Sequence, residues 1–395
     1  MSFRRELLLV GWIVVAAMTM TSLPRATAQG SWEWRRGPGR FVEGVAVDDR
    51  GNAYITGDVP DGSHFRFAMM LAKYGAGGHL LWMRSWREAG RSWARGFDVA
   101  VAPDGGVYVG GATGKTWLEG SDSQLWKYTA RGHLEWHLSP RALVGGANKI
   151  VSVAAGRNVV LAAGQTYGCC DMAIHEGWIR AYRPDGRETW SNRFEAPGVR
   201  GTWDGIEAVE LDALGRSFAA GHVDMAPQPD RTVKVDEEML VQSLSRDGEL
   251  RWSRMSHDRG VKDTDTATGV SAIEGRLLVS GSVDGSKGWL GRFTLSGERL
   301  WSLRWGPQMQ ETTTAGVSSA AWDAAYVVGT RWRPGPTAGV RDDVVTLFLR
   351  RFTVEGGLEE EREVPGWASD VAASSDAVYV TGSRHLYRLP LDSVG

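Results

Sequence analysis

The chain has 395 residues, with 45 Lys and Arg against 47 Asp and Glu, so its formal net charge is −2. Because Arg and Asp are interspersed along the sequence, there is no broad basic field, and electrostatic capture of nucleic acid is excluded. The balanced charge excludes neither acidic nor basic partners.

Residues 1–28 have the pattern of a secretory signal peptide. Arg4 and Arg5 supply a positively charged start, Leu7–Met20 is an apolar stretch, and Ala26–Ala28 is a small-residue cleavage site before Gln29. A retained membrane anchor is the alternative, but the apolar stretch is shorter than the roughly 20 residues that span a bilayer. We expect a secreted or periplasmic protein with no membrane span after signal removal, exported by a route that the sequence leaves open.

A Gly-x-x-x-Trp step recurs at intervals of roughly 50 residues, which suits a four-stranded propeller blade. We predict that its Trp side chains are structural and pack between blades, each burying about 150–250 Å². An aromatic stripe for stacking sugars or bases is the alternative, but the period matches the repeat and not a surface groove. The steps are Gly30/Trp34, Gly78/Trp82, Gly132/Trp136, Gly186/Trp190, Gly248/Trp252 and Gly297/Trp301.

A second landmark, an apolar strand that ends in Gly, recurs seven times, as in Asn52–Gly57 and Val107–Gly111. Each copy follows a run of small and β-branched residues and precedes a third strand that leads through a Gly turn to the Trp strand. Residues 29–395 are therefore predicted to form one all-β domain, a seven-bladed β-propeller with four-stranded antiparallel blades. In chain order the predicted blades span approximately 41–90, 91–141, 142–196, 197–256, 257–306, 307–364, and 365–395 plus 29–38.

The last repeat ends before any fourth strand. Gly30–Trp34 has the spacing of a fourth strand without three strands before it, so we predict that this N-terminal strand completes the last blade and removes the sheet edges. In the sixth repeat, Gly357–Glu361 places Glu361 at the Trp position. We expect the outer strand of that blade to be the loosest.

The first repeat carries a recognisable pattern, which is sharp only in the first two copies: Val45–Gly57, then Lys73-Tyr74, then Gly78–Trp82. This pattern resembles the bacterial β-propeller repeat family called SBBP, although later copies lose its Asp-x-x-Gly-Asn turn. The resemblance implies a secreted or surface bacterial propeller and no uniform catalytic function. The Asp185–Trp190 step also resembles the tryptophan-docking repeat of quinoprotein propellers, a likeness in blade packing that implies no cofactor.

Cys169 and Cys170 are the two cysteines of the chain. Adjacent cysteines close only a small ring and cannot join distant strands, so a vicinal disulfide and two free thiols are the main alternatives. Metal or redox chemistry is a further alternative.

In a propeller, the turns between the first and second strands and between the third and fourth strands of a blade lie on one face. The second-to-third and fourth-to-first connections lie on the opposite face. Here the second face has the long, variable loops, where function is usually placed. An Arg/Trp cluster there could clamp a carboxylate, phosphate or sulfate, and His and Asp side chains could bind a metal or perform acid–base chemistry; solvated loops are the alternative for both. The ligand-binding candidates are Arg87, Arg91, Trp93, Arg95, His175, His222, His257, Asp263 and Asp265.

The sequence lacks the known local motifs of catalysis and phosphate binding, so the catalytic residues are unknown and no cofactor or metal is predicted. We predict an exported, monomeric binding module that presents the long-loop face to a protein or to a polar or anionic small molecule or glycan. The alternative is an extracytoplasmic hydrolase or lyase with His and Asp around the central channel. Two titratable loop residues converging on an axial pocket favour the enzyme, an Arg/Trp-lined face favours binding, and a purely structural repeat predicts no pocket.

Overall fold

The structure, a computed structural model, describes residues 33–62, 66–115, 120–140, 147–167, 175–196, 204–224, 237–256, 264–273, 275–306, 312–320, 324–333 and 344–391. All of these belong to one compact unit, Trp32–Gly395. The other unit, Met1–Ser31, contains the predicted signal peptide and lies outside the described residues, as do Cys169 and Cys170. The described residues form strands and turns without a helix, so the prediction of an all-β fold is confirmed.

The strands, in chain order, are β1 (Glu33–Arg36), β2 (Phe41–Val47), β3 (Ala53–Pro60), β4 (Phe67–Tyr74), β5 (Leu80–Trp86), β6 (Trp93–Val101), β7 (Val107–Gly114), β8 (Ser121–Tyr128), β9 (Leu134–Leu138), β10 (Ala147–Ala155), β11 (Val160–Tyr167), β12 (His175–Tyr182), β13 (Glu188–Phe194), β14 (Gly205–Leu211), β15 (Ser217–Asp224), β16 (Glu237–Leu244), β17 (Leu250–Ser256), β18 (Thr266–Ile273), β19 (Arg276–Val283), β20 (Lys287–Thr294), β21 (Arg299–Trp305), β22 (Thr312–Ala320), β23 (Ala324–Arg333), β24 (Val344–Thr353), β25 (Leu358–Pro365), β26 (Asp370–Ala373), β27 (Ala377–Gly382) and β28 (His385–Pro390).

These strands form five four-stranded sheets and one eight-stranded sheet. The four-stranded sheets are antiparallel and, with one exception, use four consecutive strands, as in β10–β13 and β22–β25. In the eight-stranded sheet, β2–β5 and β6–β9 are each antiparallel, and a single parallel bridge between Phe67 and Trp93 joins the two groups. The predicted repeat of four antiparallel strands is therefore confirmed.

The first strand of each group lies on the inside. These inner strands, β2, β6, β10, β14, β18, β22 and β26, each contact the next, and β26 contacts β2. Their small and β-branched residues permit this close approach around a common axis. Register shifts interrupt six of them near the middle, for example between Gly96 and Asp98, and such bulges bend a strand.

The exceptional sheet combines both ends of the described chain, in the order β1, β28, β27, β26. In the pairing of β1 with β28, Trp34 lies opposite Tyr387, and the side chain of Trp34 is outside what the structure describes. The Tyr379 hydroxyl donates a 2.9 Å hydrogen bond to the Gly51 carbonyl and so links this last sheet to the first. The N-terminal strand is thus the outer strand of the last sheet.

The other five tryptophans of the repeat lie on outer strands, and each indole N–H donates to a main-chain carbonyl in the turn between the third and fourth strands of the next group. Trp82 bonds Ala130 at 3.3 Å, Trp136 bonds Pro184 at 3.1 Å, Trp190 bonds Arg246 at 3.0 Å, Trp252 bonds Leu295 at 3.0 Å and Trp301 bonds Val354 at 3.1 Å. One side chain per repeat thus satisfies its polar atom while it covers its neighbour.

The sixth group departs from this pattern at a position one residue away from the one the sequence predicts. Gly356 makes the turn there with a φ of +90°, and Glu360 lies opposite Arg351 on the third strand, as Trp301 lies opposite Arg292. Glu360, not Glu361, therefore occupies the Trp position. In the last sheet, β28 and β1 are not consecutive in the chain, so no tight turn offers a carbonyl to an indole from the sixth group.

The outer strand of the sixth group is also better held than expected. β25 is eight residues long, against four to seven for the other outer strands. Glu361 accepts hydrogen bonds from Arg331 at 2.8 Å and from Arg350 at 3.0 Å, and Arg350 also lies 4.9 Å above the Trp305 ring. These ion pairs join three strands of the sixth sheet, β23, β24 and β25, on the side that faces Trp305 of the preceding group.

Candidate functional site

A cavity of about 340 Å³ runs along the axis of the inner strands. All seven inner strands contribute to its wall, mostly with Val, Ala, Ser and Gly. Its titratable side chains are Asp98, Glu207, Glu210 and Asp370, which lie on or beside strands rather than in long loops.

Two aspartates of this channel hold neighbouring inner strands together. Asp98 accepts hydrogen bonds from the Val99 N–H at 2.7 Å, the Val153 N–H at 2.8 Å and the Ser152 hydroxyl at 3.0 Å. Burial raises the pKa of Asp98 to about 6, although these three donors favour the ionised form. Asp98 therefore joins β6 to β10 through its carboxylate.

Asp370 repeats this arrangement between the last sheet and the first. It accepts from the Val371 N–H at 2.7 Å and from the Val45 N–H at 2.9 Å. Burial and the nearby charge of Asp98 raise the pKa of Asp370 well above its usual value, against the effect of these two N–H donors. Both carboxylates are occupied by main-chain amides, and sequence reasoning missed them because Gly, Ser or Ala takes the same place in the other inner strands.

Glu210 contributes a third carboxyl to the channel. Its Oε1 accepts the Leu211 N–H at 2.8 Å. Burial raises its pKa to about 7, the Leu211 N–H opposes this shift, and the charge of Asp98 adds to it. Asp98 and Glu210 therefore titrate near pH 6 and pH 7. Among the described residues, no histidine lines the channel.

The connections of the sheets lie at two ends. We call one end the short-turn face. It carries the turns from the first to the second strand and from the third to the fourth strand of each group, such as residues 212–216, 75–79 and 183–187. The other end, the long-loop face, carries the connections from the second to the third strand of a group and from the fourth strand of one group to the first strand of the next, such as residues 383–384, 37–40 and 87–92.

The predicted arginine cluster lies on the long-loop face, and each of its guanidinium groups already has a carboxylate partner. Arg87 bonds Asp61 and Arg91 bonds Asp122. Arg95 bonds Asp58 at 2.7 Å and lies 3.5 Å from Glu43. Trp93 is 7% exposed and packs among apolar residues, not as the floor of an open site.

Arg87 also donates to the Arg91 carbonyl at 2.8 Å, so the structure brings these two residues together. Because the charges are neutralised in pairs, the cluster has little excess positive charge to offer an anion. Anion binding by these residues stays a prediction.

The predicted histidine and aspartate candidates are only partly described. His222 lies on β15 with its Nδ1 4.0 Å from Glu207 Oε1. Asp265 is buried and accepts the Asp284 N–H at 3.0 Å, which indicates a role in the β19–β20 connection. The backbone of His175 pairs with Tyr167, its side chain is not described, and His257 and Asp263 lie outside the described residues.

A surface that sequence reasoning missed lies on the long-loop face where the first and last sheets meet. We define this junction surface by five residues: Arg40, Phe41, Trp332, Trp367 and Arg384. The Gly37 N–H donates to the Arg384 carbonyl at 2.7 Å, and the Trp367 N–H donates to Ser383 Oγ at 3.0 Å. The bond between Gly37 and Arg384 brings together segments more than 300 residues apart in the chain.

The junction surface carries aromatic rings and two arginines. Trp367 is 49% exposed and meets Trp332 edge-on at 5.4 Å between ring centroids, and Phe41 is 37% exposed. The Arg40 guanidinium lies 5.0 Å from the centroid of the Phe41 ring. Within the described part of the chain, neither Arg40 nor the exposed Arg384 has a carboxylate partner.

The described residues contain no group of three or more His, Cys, Asp or Glu side chains arranged to hold a metal ion. They also include no helix long and apolar enough to cross a membrane.

Solved structures of β-propellers are similar to this chain. A puromycin hydrolase variant complexed with PGG has a TM-score of 0.53 and 16% identity, over 87% of this chain and 50% of the hydrolase. This chain therefore spans about half the length of that protein. YCF48 bound to D1 peptide has a TM-score of 0.50 and 11% identity, over 94% of this chain and 100% of YCF48.

BamB from Moraxella catarrhalis is 12% identical with a TM-score of 0.43, over 90% of this chain and 84% of BamB. The hydrolase and YCF48 confirm the β-propeller fold and show nothing finer at this level of identity. No protein-family model and no curated protein sequence matches the chain. The resemblance to SBBP repeats therefore stays a prediction.

Proposed function

We propose that this chain is an exported, seven-bladed β-propeller that binds a partner polypeptide on its long-loop face. The number seven is supported by the seven inner strands that contact one another in order, from β2 to β26 and back to β2. Export is supported by the signal-like pattern of residues 1–28. A SBBP-type, tryptophan-docked repeat is supported by the indole hydrogen bonds between neighbouring groups.

The observation that carries the binding proposal is the junction surface. Its two arginines have no carboxylate partner in the described part of the chain, and exposed aromatic side chains flank them. Arg and Trp are the residue types that most often dominate the binding energy of protein interfaces. The same fold holds a peptide in YCF48, so peptide binding is within the capacity of this architecture.

A peptide selection tests the proposal. A displayed library of random 12-residue peptides is selected on immobilised chain 29–395, and the enriched peptides are measured by fluorescence anisotropy. One panel of variants changes exposed or half-buried side chains of the long-loop face: Phe41→Ala, Arg87→Ala, Arg193→Ala, Met255→Ala and Trp367→Ala. The matched panel changes the short-turn face: Arg131→Ala, Arg183→Ala, Leu214→Ala and Glu298→Ala.

We expect at least one long-loop-face substitution to weaken binding fivefold or more, because interface energy is concentrated in a few side chains. The short-turn-face variants should stay within twofold of the parent chain. Absence of any enriched peptide, or weakening confined to the short-turn-face panel, contradicts the proposal.

A further inference from the structure

The last sheet has the shortest connection between its second and third strands. There the second and third strands are joined by only Ser383 and Arg384, whereas the corresponding connections of the first and sixth groups are residues 61–66 and 334–343. Ser383 has a φ of +54°, a conformation that side-chain-bearing residues rarely adopt and that makes the turn tight. Because this turn is short, it leaves Trp367 half exposed beside it.

The cations of the junction surface differ from the other long-loop arginines in their surroundings. Arg87, Arg91 and Arg95 each face an aspartate, while Arg40 faces the rings of Phe41 and Phe67 and Arg384 faces no carboxylate in the described residues. A guanidinium whose N–H groups do not pair with a carboxylate of its own chain can bind the carboxylate of a ligand through two parallel hydrogen bonds. The junction surface is therefore complementary to negative charge.

The two arginines lie on different sheets. Arg40 precedes β2 of the first sheet and Arg384 lies in the last sheet, and the Gly37 to Arg384 and Val42 to Ser383 hydrogen bonds, at 2.7 and 3.3 Å, hold the two segments side by side. The axial cavity does not include these residues in its wall. An open surface with separated cations and exposed rings suits an extended chain better than a small enclosed ligand.

We infer that the junction surface binds an extended acidic segment of a partner polypeptide, with carboxylates on Arg40 and Arg384 and an apolar side chain against Trp367. This inference rests on the proposed function and adds the chemistry and the place of the partner. Because the segment contacts the first and last sheets together, its binding also favours the closed arrangement of these sheets.

Defined peptides test this inference on chain 29–395. The probe is a fluorescein-labelled 10-residue peptide of alternating Glu and Phe, and its counterparts have Gln or Lys in place of Glu. Anisotropy titrations compare the parent chain with Arg40→Ala, Arg384→Ala, their double variant and Trp367→Ala. The matched control is Arg183→Ala, which removes an exposed arginine of the short-turn face.

We expect the Glu peptide to bind at least tenfold more tightly than the Gln peptide, and the Lys peptide not to bind. The double variant should weaken binding of the Glu peptide tenfold or more, and the control should stay within twofold. The Glu peptide should also raise the melting temperature of the parent chain and not that of the double variant. Arg384→Ala changes an exposed side chain, so an unchanged melting temperature without peptide separates lost binding from lost folding.

Equal binding of the Glu and Gln peptides, or unchanged binding by the double variant, overturns the inference. If library peptides lose affinity on Arg87→Ala but not on Phe41→Ala, Trp367→Ala or Arg384→Ala, the proposed function stands and this inference fails. If neither the library nor the Glu peptide yields binding, both fail.

Discussion

At the residue scale, three of the four acidic side chains that line the channel accept hydrogen bonds from main-chain N–H groups. Asp98 and Asp370 each accept one N–H from their own strand and one from the next inner strand. Glu210 differs because its hydrogen-bond donor, the Leu211 N–H, belongs to its own strand. When it is ionised, Glu210 is therefore a buried charge whose hydrogen bond does not join two inner strands.

Glu210→Gln should stabilise the protein at high pH. The folded-state pKa of about 7 exceeds the ordinary value of 4.5. As pH rises through this interval, the unfolded chain loses the proton first, so stability falls until about pH 7 and stays lower above it. Gln can still accept the Leu211 N–H and carries no charge.

We expect the free energy of unfolding to increase by about 1–3 kcal/mol at pH 8 and to change little at pH 4, measured by urea denaturation. The exposed Glu298→Gln is the control. A gain that is equal at both pH values would show that the charge of Glu210 is not the cause.

At the scale of elements, the Gly and the Trp of the repeated step serve the same interface from opposite sides. The Trp of one group lies against the turn glycine of the next: a methyl group on Gly248 would lie 2.7 Å from Cδ2 of the Trp190 ring. Gly248 also has a φ of +88°, so it is needed for both its conformation and its lack of a side chain. The glycine of a step therefore contacts the Trp of the preceding step, and not the Trp that follows it in the chain.

Gly248→Ala and Gly215→Ala separate these two requirements. Both glycines have positive φ, but a methyl group on Gly215 meets nothing within 4 Å. Gly215→Ala should lower the free energy of unfolding by about 1–2 kcal/mol through backbone strain. Gly248→Ala should lower it by a further 1–3 kcal/mol or so because the methyl group meets the Trp190 ring.

Urea denaturation measures both changes. In a chain that already carries Trp190→Ala, Gly248→Ala should cost less free energy of unfolding than it does in the parent chain, because the ring it would meet is gone. Equal destabilisation by the two glycine substitutions would refute the steric explanation.

At the scale of the whole molecule, the two ends of the described chain share one sheet. β1 pairs with β28 over Glu33–Arg36, and contacts of Asp370 with Val45 and of Tyr379 with Gly51 join that sheet to the first. The pairing covers an edge of β28 that would otherwise present free main-chain donors and acceptors. Closure thus depends on a strand that is distant in sequence from its neighbours.

A chain that begins at Gly37 should be less stable than one that begins at Gln29. It lacks β1, so several main-chain hydrogen bonds are lost and β28 becomes an edge strand. We expect the free energy of unfolding to fall by about 2–4 kcal/mol, seen as a lower urea midpoint. Identical midpoints for the two chains would contradict this role of β1.

Much of the architecture could be predicted because it depends on patterns among residues that are close together in the sequence. The all-β class and the four-strand repeat follow from alternating strands, turn glycines and a regular Trp spacing, which each repeat carries by itself. The one error in register, Glu361 for Glu360, arose because Gly356 and Gly357 are adjacent and only the φ and the strand pairing show which one makes the turn.

The candidate site was less accessible to sequence reasoning. Arg87, Arg91 and Arg95 form a visible local cluster, but Asp61, Asp122 and Asp58, which neutralise them, lie 26 to 37 residues away in the chain. Arg40 and Arg384 belong to no motif, and only the meeting of the first and last sheets brings the segment with Arg384 beside the segment with Arg40 and Phe41.

The sequence by itself determined the strand class, the repeat and the place of the Trp steps, because these depend on the periodicity of neighbouring residues. Only the tertiary structure decided which charges are paired, which carboxyls are buried in the channel and which aromatic rings stay exposed. Those properties depend on distances between sheets, and such distances are set by packing among residues that no local pattern connects.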